Sequence, residues 1–102
     1  MTINPGHDEL CFQVTVSNLS GPPLAAHIHQ GPAGTNGNIV VPFVPPFAFL
    51  PTGSPSGTAQ GCVPVDTSLL NEIRSDPGGF YVNVHTAQHL GGEVRGQLTM
   101  GQ

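Results

Sequence analysis

The run AAHIHQ (residues 25–30) sets two imidazoles on either side of one isoleucine and then passes into the loop GPAGTNG. Imidazole is a ligand that suits copper and zinc. In an extended segment, residues i and i+2 share a face, so His27 and His29 form one row while Leu24, Ala26 and Ile28 form the opposite, core-facing row. The same parity test on FYVNVHT (80–86) turns Phe80, Val82 and Val84 toward the core and Tyr81, Asn83 and His85 away from it. If the two strands lie near each other in one sheet, His27, His29 and His85 converge on a solvent-side patch outside the hydrophobic interior. Three neutral imidazoles with one open position suit Cu(II), with Zn(II) as second choice. His89, in the loop AQHLGG, is a further ligand candidate if it swings back toward the patch; an exposed loop residue is the alternative. Arg95 is a candidate anion guide that would draw a small anion toward the metal by field focusing. A structural pair with Glu93 or Asp8 is the other reading of it. His7, ahead of the first long strand, is expected to face solvent.

Composition narrows the remaining chemistry. Two Lys/Arg against six Asp/Glu give a formal net charge of −4, which leaves no cationic face for nucleic acid. No apolar run reaches a membrane span, and the most apolar stretch, IVVPFVPPFAFL, is broken by Pro42, Pro45 and Pro46. There is no G-x-S-x-G elbow, no phosphate-cradling Gly-rich loop with its lysine, and no evident glycosidase carboxylate pair. Cys11 and Cys62 match no C-x-x-C pattern. Bridged, they would close a loop of about 50 residues and contribute roughly 4 kcal/mol. Two buried free thiols are the alternative. A disulfide implies an oxidising, extracellular or periplasmic location. The opening MTINPG has neither the charge nor the apolar run of a signal peptide, so Met1 is expected to begin a trimmed chain.

The 102 residues read as a single domain, 1–102. ELCFQVTVSNL alternates as a half-buried strand with Leu10, Phe12, Val14 and Val16 inward. LSGPP ends it, LAAHIHQ is the second strand, and IVVPFV is a third that Pro42 confines to an edge or a bulge. PPFAFLPTGSPSGTAQG is expected to be mostly irregular with one short strand. DTSLLNEIRSDPGG is the one helix, capped by Asp66 or Thr67, with Leu69, Leu70 and Ile73 as its apolar stripe and Pro77–Gly78 as its stop. FYVNVHT and EVRGQLTM then pair around AQHLGG, with Val94 and Leu98 inward and Glu93, Arg95, Gln97 and Thr99 outward. Short strands, frequent turns and one brief helix predict an all-β fold, an antiparallel β-sandwich.

Three segments in order, AAHIHQGPAGTNG, GFYVNVHT and GGEVRGQL, resemble the CHRD domain, named from chordin and widespread in secreted microbial proteins. The resemblance runs from ELCFQVTV to RGQL and implies an extracellular or periplasmic β-sandwich with His27, His29, His85, Glu93 and Arg95 at the motif positions. The family usually opens with a Gly/Ala-containing strand ahead of the NPG turn, of which only MTI remains here. The edge left open implies a homodimer through strand pairing. The position of His89 is usually aromatic in the family, which makes this histidine an addition. HIHQGPAG is also similar to the H-V-H strand of Cu,Zn superoxide dismutase, which presents two copper ligands from one side of a Greek-key sandwich and places an arginine near its copper. That enzyme's zinc-binding loop and metal-bridging histidine have no counterpart in this chain. Two functions are therefore expected: a secreted, copper-preferring metal-binding domain, redox-active toward small oxygen species, or a non-catalytic adhesion or interaction module with structural histidines.

Overall fold

Alternation in ELCFQVTV produces an eight-residue strand, β2 (Glu9–Val16), that buries Leu10, Phe12 and Val16 and turns Gln13 and Thr15 to solvent. The computed structural model describes residues 2–32 and 34–97. Strand β1 (Thr2–Asn4) precedes β2; β3 (Pro23–Gln30), β4 (Ile39–Val44) and β5 (Gly57–Pro64) follow it. Helix α1 (Thr67–Ser75) and strands β6 (Phe80–Thr86) and β7 (Val94–Gln97) complete the order. Two antiparallel sheets result, β1-β2-β5 and β4-β3-β6-β7. The chain leaves β2 for the other sheet, makes the β3–β4 hairpin, and returns as β5 beside β2, which is a Greek-key path.

The inner faces meet in one apolar core. Phe12 from the first sheet stacks on Phe43 from the second at 3.9 Å between ring centroids, and Phe47 packs edge-on to Phe12 at 5.4 Å. Ala26, Ile28, Val41, Val63 and Val84 fill the space around them, and Leu70 and Ile73 of α1 close one end. The helix begins at Thr67 and ends before Pro77, as its stop signal requires. Asp66 takes the N-cap position, but its side chain makes no cap bond, and the Thr67 hydroxyl donates to Asp8. Pro42 lies on edge strand β4, where the β3–β4 register shifts twice.

Cys11 and Cys62 face each other in the β2–β5 register and form a disulfide across the two strands. The loop it closes spans a sequence separation of 51. β5 is longer than PPFAFLPTGSPSGTAQG suggests. Its sequence, GTAQGCVP, is poor in strand formers, yet all eight residues pair with β2.

Three sequence expectations change. Leu24 is 53% exposed, because the register shift between Pro23 and Ala25 breaks the parity that would have turned it inward. Val94 is 42% exposed at the start of strand β7, which among the described residues pairs only with β6. The residues MTI do not leave the edge of β2 wholly open: Thr2–Asn4 pair with Cys11, Leu10 and Glu9. Leu98 and Thr99 lie outside the described residues.

Candidate metal centre

β3 and β6 are antiparallel neighbours, with Ala25 opposite His85, His27 opposite Asn83 and His29 opposite Tyr81. His85 is therefore diagonal to His27, and only a methyl group stands across from it. Ring centroids lie 5.1 Å apart for His27–His85, 5.6 Å for His27–His29 and 6.0 Å for His29–His85. One ring nitrogen from each residue lies within 4.8 Å of those from the other two.

The hydrogen bonds decide which nitrogens are offered. His29 Nδ1 is 3.0 Å from the Gly37 carbonyl and His85 Nδ1 is 2.8 Å from the Leu90 carbonyl. A carbonyl oxygen only accepts, so both Nδ1 atoms carry a proton, and the tautomer this selects has its lone pair on Nε2. Those Nε2 atoms, together with His27 Nδ1, are buried and have no hydrogen-bond partner among the described residues. A buried polar atom left unpaired costs about 1–3 kcal/mol, so three in one cluster are an expensive arrangement for a purely structural role. Burial, then the neighbouring charges of His85 and His29, hold the His27 pKa below the ordinary imidazole value, favouring the neutral form that ligates.

The face carrying these rings is not the open patch that strand parity suggests. His29, Asn83 and Tyr81 on it are buried, because two loops cover the sheet. The loop 31–38 is pinned at several points. The Tyr81 hydroxyl accepts from Gly37 N–H at 3.0 Å, and Arg95 Nη2 donates to the Pro32 carbonyl at 2.8 Å. Tyr81 stacks on His29 at 4.9 Å, and the Arg95 guanidinium lies 3.5 Å from the centre of the Tyr81 ring. A Cβ at Gly37 would overlap the Gln30 carbonyl oxygen, so only glycine lets this backbone approach β3 closely enough to receive the His29 proton. The second cover is the turn 87–92. There Asn83 Nδ2 donates to the Gly91 carbonyl at 3.3 Å and Gly92 takes φ +116 against the Asn83 amide.

His27, His29 and His85 are thus brought together. His89 is exposed in the 87–92 turn and is not a member of the three-histidine cluster; its backbone N–H and C=O both bond to Thr86. Arg95 sits on the same face as the cluster, one strand further out, engaged with Tyr81 and the 31–38 loop. His7 is exposed. Glu93 accepts from the Ser20 hydroxyl, the Ser20 N–H and the Thr86 hydroxyl. The Ser20 hydroxyl bond is the main reason its carboxyl stays below the usual range. Sequence reasoning missed the carbonyls of Gly37 and Leu90 that select the ligating nitrogens, because a backbone acceptor leaves no residue signature; the N-G pair at 36–37 marks a turn and nothing more.

An extracellular-type β-sandwich, held by a cross-strand disulfide and carrying a histidine cluster on the outer face of one sheet, is the class of protein that fold and site define. The chain belongs to the CHRD domain family, whose model matches residues 1–98. CHRD domains are extracellular β-domains, in keeping with the disulfide. No curated protein and no solved structure matches the chain.

Proposed function

We propose that this domain is a secreted metal-binding module that holds copper, in preference to zinc, through His27 Nδ1, His29 Nε2 and His85 Nε2. The observation that carries the reading is the set of three buried, unpartnered ring nitrogens in one cluster. An all-imidazole donor set accepts both metals, and the general order of divalent affinities places Cu(II) above Zn(II). Bound copper would supply a one-electron couple and an open coordination position for a small oxygen species. The chain's own part is to fix the tautomers of His29 and His85 through Gly37 and Leu90, to favour the neutral form of His27, and to shield His29 beneath Tyr81. Arg95 is the proposed guide for an anion approaching this face.

Isothermal titration of wild type and His29→Ala with Cu(II) and with Zn(II) tests the proposal. Wild type should bind one equivalent, copper more tightly than zinc, and the variant should lose most of that affinity. Equal, weak binding by both proteins refutes it. The bonds from His29 and His85 to loop carbonyls favour one competing reading, an adhesion or interaction module in which these rings only staple the loops. That reading expects added metal to leave the melting temperature unchanged, whereas a specifically bound metal raises it by mass action.

A further inference from the structure

We infer that Glu93 is a positioning residue for His85, acting through the turn that links β6 to β7. Its meaning for metal binding rests on the copper reading above; its mechanical content does not.

The turn between Thr86 and Glu93 has no apolar anchor. Residues 87–91 are all exposed, and Leu90 is 75% exposed. Hydrogen bonds alone therefore set its shape. Thr86 N–H donates to the His89 carbonyl at 3.3 Å, His89 N–H to the Thr86 carbonyl at 3.2 Å, and Gly92 N–H to the His89 carbonyl at 3.0 Å. At the base of the turn, Glu93 N–H donates to the Val84 carbonyl at 2.8 Å, which continues the β6–β7 ladder past its last paired residues.

The Glu93 carboxylate then ties three points together. One oxygen accepts from the hydroxyls of Ser20 and of Thr86, the latter at 2.8 Å; the other accepts from Ser20 N–H at 2.7 Å. Thr86 opens the turn, Glu93 closes it, and Ser20 belongs to the separate connection between β2 and β3. Charge-assisted bonds of this kind are the stronger class, and Thr86 is fully buried. The clamp holds both ends of the turn against the body of the sandwich. What it delivers to the histidine cluster is one group, the Leu90 carbonyl, which receives the His85 Nδ1 proton at 2.8 Å. Without that acceptor at that place, nothing obliges His85 to keep its proton on Nδ1 and its lone pair on Nε2, the buried atom directed at the cluster.

A carboxylate suits this role because all three partners donate and it only accepts. In Glu93→Gln, one position would place an amide NH2 against a donor. Ser20→Ala is milder, since it removes one hydroxyl and leaves the backbone bond and the Thr86 bond.

The test is nitrogen NMR of histidine-labelled, metal-free protein at a pH where the imidazoles are neutral, followed by Cu(II) titration of the same samples. Wild type should show His29 and His85 as Nδ1–H tautomers. In Glu93→Gln, His85 should move to a mixture with the Nε2–H form while His29 stays unchanged, and Cu(II) affinity should fall roughly tenfold. Ser20→Ala should lie between the two. The inference is overturned if His85 keeps its wild-type tautomer in Glu93→Gln, or if a copper-binding wild type loses no affinity with that substitution. Lack of copper binding by wild type, combined with loss of the His85 tautomer in the variant, would uphold the positioning role and remove the metal reading instead.

Discussion

The sheet β4-β3-β6-β7 presents two faces built from alternate residues of the same strands, and each face is closed by a different kind of force. On the inner face, Ala26, Ile28 and Val84 press against Phe12 and its neighbours, and what counts is volume and apolar area. On the outer face, His27, His29, Tyr81, Asn83 and His85 lie beneath two loops, and what counts is which atom donates to which. Dispersion and hydrophobic contact are non-directional, so the inner face sets stability without fixing the orientation of any functional atom. The outer face uses single carbonyls to orient the rings of His29 and His85, and one tyrosine hydroxyl to hold the loop that carries the first of these carbonyls. It still leaves three ring nitrogens unpaired, which is poor economy for stability and useful geometry for a ligand site.

The largest effect that separates the faces is expected from Phe12→Ala. The ring stacks on Phe43 and meets Phe47 edge-on, so truncation should cost about 3–5 kcal/mol in chemical denaturation, from lost transfer energy and the cavity left behind. Protein that remains folded should bind Cu(II) as wild type does. A matching loss of metal affinity would mean that the faces are mechanically coupled. Gly37→Ala makes the opposite cut. Its new Cβ would drive the loop off β3 and displace the carbonyl that holds His29 and the N–H that meets Tyr81. Metal affinity should drop about 10- to 100-fold, or about 1.4–2.8 kcal/mol, while the sandwich stays folded. Unchanged affinity on titration would show that the outer face needs no such orientation.

The same division explains what the sequence revealed. Period-two alternation exposed the inner face directly: Leu10, Phe12, Val16, Ile28 and Val84 all lie where parity places them. Parity also brought His27, His29 and His85 to one face, since ring positions follow from strand register once β3 and β6 are neighbours. It failed at Leu24, where a register shift intervenes, and at Val94, where the edge strand has no partner beyond it among the described residues. It also mistook a covered face for a wet one. Polar residues at outward positions look alike whether water or a hydrogen-bonding loop lies above them, and the burial of Tyr81 and Asn83 depends on loops whose composition signals only turns. Glu93 is the sharpest case. Its partners at Ser20 and Thr86 are 73 and 7 residues away, and neither pair lies within one strand or helix, so no periodicity links them.

The smallest expected effect is also the one most specific to the outer face. His27 is held below the ordinary imidazole value of about 6.5, first by burial and then by the charges of His85 and His29. Between the lowered folded value and the unfolded value, the unfolded chain binds more protons, so stability rises with pH across that window. His27's contribution is complete above the unfolded value and is lost as the pH falls through the folded one. The metal-free protein should therefore melt at lower temperature at pH 5 than at pH 7.5, and His27→Gln should flatten that dependence. Phe12→Ala should lower the curve while keeping its slope, because the inner face carries no titratable group. Bound Cu(II) should steepen the wild-type curve, since the metal competes with protons for the same lone pairs. A His27→Gln protein with the wild-type pH slope would mean that the three-histidine cluster contributes nothing to acid sensitivity, and the contrast between the faces would then rest on hydrogen bonding alone.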